Sequence, residues 1–540
     1  MPAATGSRET PPGGVRPGGT RDRRRDLAIA LALALAAYAA LASRFAFVCD
    51  DAYISFRYAR HLAEGAGLRF NAGEEPPVEG YSNLLWTLAV AAAERSGIAP
   101  ELASNAISTL AGAVLVALAT RLAQRRLALG GAATAAPALF LATLPPVALW
   151  ATGGLETTAF ALTVFLAFER LELDPGHPRA LQAGVAAAAA ALLRVDGAAW
   201  AALAIGAASA DRARLADRAW RRALLLSLAP LAAAVLGQLA FRIGYHGDWL
   251  PNTARVKGGL SALRLERGAR YLGVLVLSAP SLALAAALAP LGWRGPSRSL
   301  ASRAALPVAA AAAYAVFVGG DFMPLGRFLV VAAPFLALAF AASLTALARR
   351  PALAATVAAL AVASSALACF DLAVAPRAWR EALHFRWNDP AYRSEVEQWR
   401  AMRERAREWS DVGRALARIE RPGESIVLAA IGAIGYRSEL VVHDRFGLVD
   451  REVARRAAPH ARATPGHDRG VGIEFFLARR PTYLGAWIAP ASARPEDGLP
   501  PGWERSALAA VSAVESHPLD PALGLPPDRV LRVLRYRPER

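Results

Sequence analysis

Apolar runs of membrane-spanning length, with arginine clusters at alternate ends, constrain this chain more than any other feature. The first, Leu27 to Val48, follows the basic cluster Arg21 to Arg25. At ~1.5 Å per residue it is long enough to cross a bilayer. Further runs follow at Leu102–Leu122, Ala132–Ala151, Thr158–Phe168, Ala180–Leu193, Gly197–Ala210, Ala223–Ile243, Tyr271–Leu291, Ala304–Val318, Pro324–Ala348 and Ala352–Phe370. Together they predict about eleven transmembrane helices, the short Ala-rich pair around Arg194 being the weakest of them. Leu84–Ala93 is too short to cross and reads as an interfacial helix.

Composition agrees with a mixed protein. Of 540 residues, 55% are hydrophobic, high for a soluble chain and low for one that is membrane throughout. The net charge of +17 sits mostly in arginine clusters between apolar runs, where topology signals lie. It therefore marks orientation and attraction to anionic membrane lipid; no nucleic-acid motif accompanies it. With the clusters kept inside, the N-terminus is cytoplasmic and the C-terminus extracytoplasmic. Residues 1–26 read as a disordered cytoplasmic tail, 27–374 as the membrane unit with an outer loop at 49–101, and 375–540 as a small extracytoplasmic α/β domain. Its signs are helical periodicity at Trp399, Met402, Ala406 and Trp409, β-like runs at Ser425–Ile431 and Leu440–Val442, and a strand at Val530–Tyr536.

The two cysteines, Cys49 and Cys369, read as small buried hydrophobes, with a bond between them as the alternative. No histidine pair has metal-ligand spacing; His443-Asp444 and His467-Asp468 read as solvated loop residues, so no metal-ligating residues are assigned, and no cofactor is expected.

The stretch carrying chemistry is Cys49-Asp50-Asp51-Ala52-Tyr53 with its continuation Glu79-Gly80-Tyr81-Ser82-Asn83. Two adjacent carboxylates stand where the first membrane helix emerges. Mutual repulsion and poor hydration raise the pKa of one, which suits a general base; the plainer alternative is an acid pair ending a helix. Asp50, nearer the helix end, is the favoured base. The other polar loops, holding Glu156, Arg194-Asp196, His246-Asp248, Lys257 and Asp321–Arg327, fall on the same predicted side, as a pocket at the outer interface requires. For Glu156 a helix-capping role carries the greater weight. Arg327 and Asp321 suit an ion pair as well as a substrate contact. Trp379, Trp387, Trp399 and Trp409 offer stacking faces, at least half of them for core packing.

The phrase DDAYISFRYARHLAEGAGLRFN…VEGYSNLLWT, within Asp50–Thr87, resembles the first extracytoplasmic loop of GT-C superfamily polytopic glycosyltransferases. It is closest to the mycobacterial terminal β-(1→2)-arabinofuranosyltransferase family and its bacterial relatives. ATGGLET at Ala151, PNTARVKGG at Pro251, GGDFMPLGRF at Gly319, GAIGY at Gly432 and FGLVD at Phe446 match in the same order. The resemblance implies transfer of a sugar, arabinofuranose or another, from a polyprenyl-phosphate sugar donor to a cell-envelope glycan or lipid acceptor, with inversion. Asp50 or Asp51 would be the catalytic base. Arg57, Arg255, Lys257 and Arg327 would neutralise the departing lipid phosphate. The rival class is a transporter or flippase of lipid-linked sugars, which would place ionisable groups near mid-membrane in matching halves.

Overall fold

The computed structural model describes residues 20–537 except 174–175, 258–260, 295–296, 457, 460–468, 496 and 498–510. Its architecture is a polytopic helical bundle followed by a small α/β domain. Among the described residues, six helices are long and apolar enough to cross a membrane: Asp22–Arg44, Pro100–Leu127, Arg218–His246, Arg298–Phe317, Arg327–Ala346 and Pro351–Ala368. A seventh arises if Ala262–Ser278 and Pro280–Gly292, bent by 97°, count as one span. Pro280 explains the break, since it lacks the N–H that would continue the helix. The remaining apolar runs are helical too, at Ala132–Thr143, Thr157–Leu173, His177–Leu193 and Gly197–Ser209, but shorter. The first helix starts at Thr20, inside the stretch expected as tail; residues 1–19 lie outside the described part.

The two ends of the bundle differ in chemistry. At the C-terminal end of Thr157–Leu173, Glu172 is fully buried and meets Arg126 at 2.7 Å, Arg214 at 3.0 Å and Arg303 at 2.7 Å. Four helices, one of them the short Arg212–Ala216, are thereby tied through one carboxylate. At the opposite end lie Asp50, Asp51, Glu156, Arg194 and Arg327.

In the C-terminal unit a short helix, Arg377–Ala382, precedes the long helix Glu395–Leu416, whose capping box joins Ser394 and Glu397. Trp399, Met402 and Ala406 are buried along it. Its strands are β1 (Ser425–Leu428), β2 (Val441–Asp444), β3 (Ala458–Pro459), β4 (Arg469–Gly470), β5 (Tyr483–Pro490), β6 (Ser512–Pro518) and β7 (Arg529–Tyr536). Five form a mixed sheet in the order β2-β1-β5-β7-β6, while β3 and β4 pair separately. β1 runs parallel to β2, with Ser425 opposite Val441, and β7 runs antiparallel to both β5 and β6. Between β1 and β2, Gly432–Arg437 forms a short helix.

This unit does not stand apart. Ile54, Tyr58, Leu68, Phe70 and Tyr81 of the first loop share one hydrophobic core with Leu416, Ile426, Ile434, Val442 and Val533. The first loop is thus packed as part of the sheet domain, although it belongs to the membrane unit by sequence. Cys49 and Cys369 are both unpaired and buried.

Candidate active site

The first-loop helix Asp50–Ala63 begins six residues after the first long helix ends at Arg44 and carries the acid pair at its start. Its neighbour on one side is the Gly153-Gly154 turn. Both glycines have positive φ, and a Cβ at Gly154 would stand 2.6 Å from that of Ala52. Only glycine lets that backbone approach so closely.

The acid pair divides. The Asp50 carboxylate accepts hydrogen bonds from the backbone N–H of Ala433 at 2.7 Å and of Gly432 at 3.2 Å. A Cβ on Gly432 would overlap the Asp50 carbonyl, so glycine is required there. Burial pushes the Asp50 carboxyl up to about 7, against those two bonds, which favour its charged form. Asp51 is half-buried and makes no side-chain hydrogen bond or ion pair among the described residues. Its charge acts on Arg327, as do those of Glu156 and Asp321. The expectation that favoured Asp50 as base meets a carboxylate already committed to the sheet domain.

Around Arg327 the structure gathers several of the expected residues. Arg327 Nε donates to Asp321 Oδ2 at 2.8 Å, and its guanidinium lies over the Phe328 and Trp150 rings. Arg194 holds Asp196 with two bonds of 2.8 and 3.0 Å at the break between two short helices. It also reaches Glu156 at 3.6 Å. Arg194, Asp196, Arg327, Tyr314, Trp200 and Phe160 line a pocket of about 20 Å³. Glu156 is buried and accepts from Asn83 Nδ2 at 2.8 Å; Asn83 Oδ1 accepts in turn from Ser55 at 3.0 Å. The carboxylate of Glu156 is therefore directed to Asn83 and Arg194, not to the N–H groups of the helix it precedes. Asn83 and Ser55 were not singled out as site residues, although Asn83 closes the Glu79–Asn83 motif.

Other expected contacts go elsewhere. Arg57 is buried, and its three guanidinium nitrogens donate to the carbonyls of Phe70 at 2.7 Å, Gly435 at 2.5 Å and Leu440 at 2.8 Å. Burial pulls it down to about 10. Buried, and with each nitrogen bonded to backbone, it clamps the first loop to the sheet domain and does not face the Arg327 cluster. Arg255 pairs with Asp248 at 2.6 Å on the helix Asn252–Lys257, which packs against Arg451–Arg456 of the C-terminal unit. The side chain of Lys257 lies outside the described part, as do His467 and Asp468. Asp444 is occupied by the N–H groups of Phe446 at 2.9 Å and Val449 at 3.0 Å. Trp399 is buried against Phe45, whereas Trp379 is exposed.

Similarity to solved structures decides the fold. ArnT from Cupriavidus metallidurans bound to undecaprenyl phosphate aligns over 94% of this chain and 97% of its own, with 13% identity and a TM-score of 0.53. Its apo state aligns over the same shares, with 12% identity and a TM-score of 0.55. This chain has the GT-C fold. The arabinofuranosyltransferase AftD from Mycobacteria aligns over 95% of this chain, with 18% identity and a TM-score of 0.52. The chain spans 40% of the AftD length. Residues 392–517 match a family described as a domain of unknown function, DUF8728. No curated protein matches the sequence. On this GT-C scaffold the divided acid pair and the Arg327 cluster occupy the junction of bundle and sheet domain.

Proposed function

We propose that the protein is an integral-membrane glycosyltransferase. It takes a sugar, pentose or hexose, from a polyprenyl-phosphate donor and passes it to a cell-envelope glycan or lipid. The observation carrying this reading is Asp51, an unpartnered carboxylate at the exit of the first membrane-length helix and within the field of Arg327. Its setting is a fold shared with a protein whose structure holds undecaprenyl phosphate.

In the proposed reaction Asp51 accepts the proton of the acceptor hydroxyl as that oxygen attacks the anomeric carbon. The bond from the anomeric carbon to the phosphate oxygen breaks, inverting the configuration, and the electron pair leaves with the lipid phosphate. Arg327, with Arg194 beside it, offsets the charge growing on that phosphate. Asp50 and Arg57 hold the loop in place. The family resemblance favours arabinofuranose as the sugar.

The reading places the enzyme in the bacterial inner membrane as a multi-pass protein, with a cytoplasmic N-terminus and an extracytoplasmic sheet domain. A periplasm-active reporter fused after Arg540 is expected to work, and activity of a cytoplasm-only reporter there would reverse the orientation. The chemistry is tested by incubating purified protein and acceptor lipids with a panel of polyprenyl-phosphate sugars. Sugar-dependent release of polyprenyl phosphate supports transfer; intact donor throughout, with folded protein, contradicts it.

A further inference from the structure

A second groove lies where the long helix Glu395–Leu416 faces the exit of the first membrane-length helix. It encloses about 500 Å³, with Phe47, Tyr53 and Asn105 on one wall and Arg403, Arg407 and Arg414 on the other; Arg437 adds a fourth guanidinium. Two of these cations are compensated. Arg414 pairs with Asp411, and Arg437 with Glu101 and the Ser410 hydroxyl. The other two are not. Arg407 is exposed and makes no hydrogen bond or ion pair among the described residues. Arg403 has only the Trp399 ring, 4.8 Å away, and its Nε is buried without an acceptor.

Residues 403 and 407 stand one helical turn apart on the same face. Like charges at that spacing repel and weaken a helix unless an anion lies between them. Paired guanidinium forks match phosphate oxygens in geometry and charge. The position narrows the source of that phosphate. The first long helix ends at Arg44, and the groove wall begins at Ala46, so the opening lies at the bilayer surface. The aromatic wall of Phe47 and Tyr53 suits the glycerol and upper acyl carbons of a lipid.

We propose that this groove binds the phosphate headgroup of an anionic membrane lipid between Arg403 and Arg407. It is separate from the Arg194–Arg327 cluster and does not rest on the transferase reading. A lipid seated there ties the sheet domain to the membrane beside the first loop.

Full-length protein in detergent is titrated with phosphatidylglycerol and bound lipid is read by native mass spectrometry. Each arginine near an anionic headgroup is worth about a fivefold change in binding, so the double variant Arg403→Ala with Arg407→Ala should bind ~25-fold more weakly. Arg407→Glu alone, at an exposed position that folding does not need, should weaken binding at least as much as one lost arginine. Arg529→Ala, an exposed arginine on β7, should change nothing. Wild-type-like binding by the double variant, or by Arg407→Glu if the double variant does not fold, overturns the proposal. So does an equal loss in Arg529→Ala, which would mean diffuse charge attraction. Binding of undecaprenyl phosphate without phosphatidylglycerol would assign the groove to the donor, and full displacement by millimolar inorganic phosphate would make the ligand a free ion. Either result contradicts a membrane-lipid site.

Discussion

The Asp50 carboxylate accepts a 2.7 Å hydrogen bond from the backbone N–H of Ala433, 383 residues further along the chain. This bond joins the exit of the first membrane-length helix to the sheet domain. Asp51, one residue on, is turned ~100° around the same helix. The two acids therefore serve different ends: one fastens the domain, the other stays open beside Arg327.

The fastening should be pH-dependent. Asp50 has its carboxyl pushed up to about 7 from a usual 3.8, so between those values the folded protein binds more protons than the unfolded chain. Its contribution to stability is therefore fully present below about 4 and declines as pH rises to about 7. Thermal unfolding of the detergent-solubilised protein from pH 4 to 8 should show this slope, and Asp50→Asn should flatten it. An identical slope in the variant would remove Asp50 as its source.

Arg57 should behave as a structural residue. Replacing it with Met strips three buried carbonyls of their donor, a loss of about 3–5 kcal/mol on the scale of broken buried networks. A large fall in melting temperature is expected, with unchanged donor KM in whatever protein remains folded. A normal melting temperature with raised donor KM would return Arg57 to the phosphate site.

The division of labour between Asp50 and Arg57 on one side and Asp51 on the other could not be read from the sequence. Hydrophobic run length located the helices because a bilayer requires it, and the period of Trp399, Met402 and Ala406 located the long amphipathic helix. Adjacency of two acids gives no sign of which one turns toward a partner nearly four hundred residues away. Arg57 looked like a phosphate ligand because it stands about two helical turns beyond the acid pair, where it could point to the same pocket. Its three carbonyl partners come from two distant segments, and no local pattern announces them. The short helix Gly432–Arg437 was hidden for the same reason: the sequence shows only glycines between two β-like runs, while Gly432 is needed for contact with Asp50.

At the other end of the bundle, Glu172 is the test of packing. Its fully buried carboxylate meets Arg126, Arg214 and Arg303. Glu172→Gln leaves three guanidinium groups facing one another with only Asp211, 3.8 Å from Arg303, as a counter-charge, which should cost about 3–5 kcal/mol. Limited proteolysis and thermal unfolding check this; wild-type stability in the variant would show that the arginines find solvent.

Arg327 should act on the donor. In Arg327→Ala, donor KM should rise roughly tenfold, with a fall in kcat if the contact tightens as phosphate departs. Acceptor KM should be little changed. Asp321→Asn, which keeps the cation and loses its 2.8 Å partner, should have the smaller effect. Unaltered donor kinetics in Arg327→Ala would leave the residue as a structural ion pair.

The central claim is that Asp51 is the base, and one comparison tests it: turnover of wild-type, Asp50→Asn and Asp51→Asn protein with the same polyprenyl-phosphate sugar and acceptor, donor binding being measured in parallel. Asp51→Asn should lower turnover roughly 10²–10⁴-fold with donor binding intact, and Asp50→Asn should retain most of its turnover. Near-normal turnover in Asp51→Asn would contradict the account.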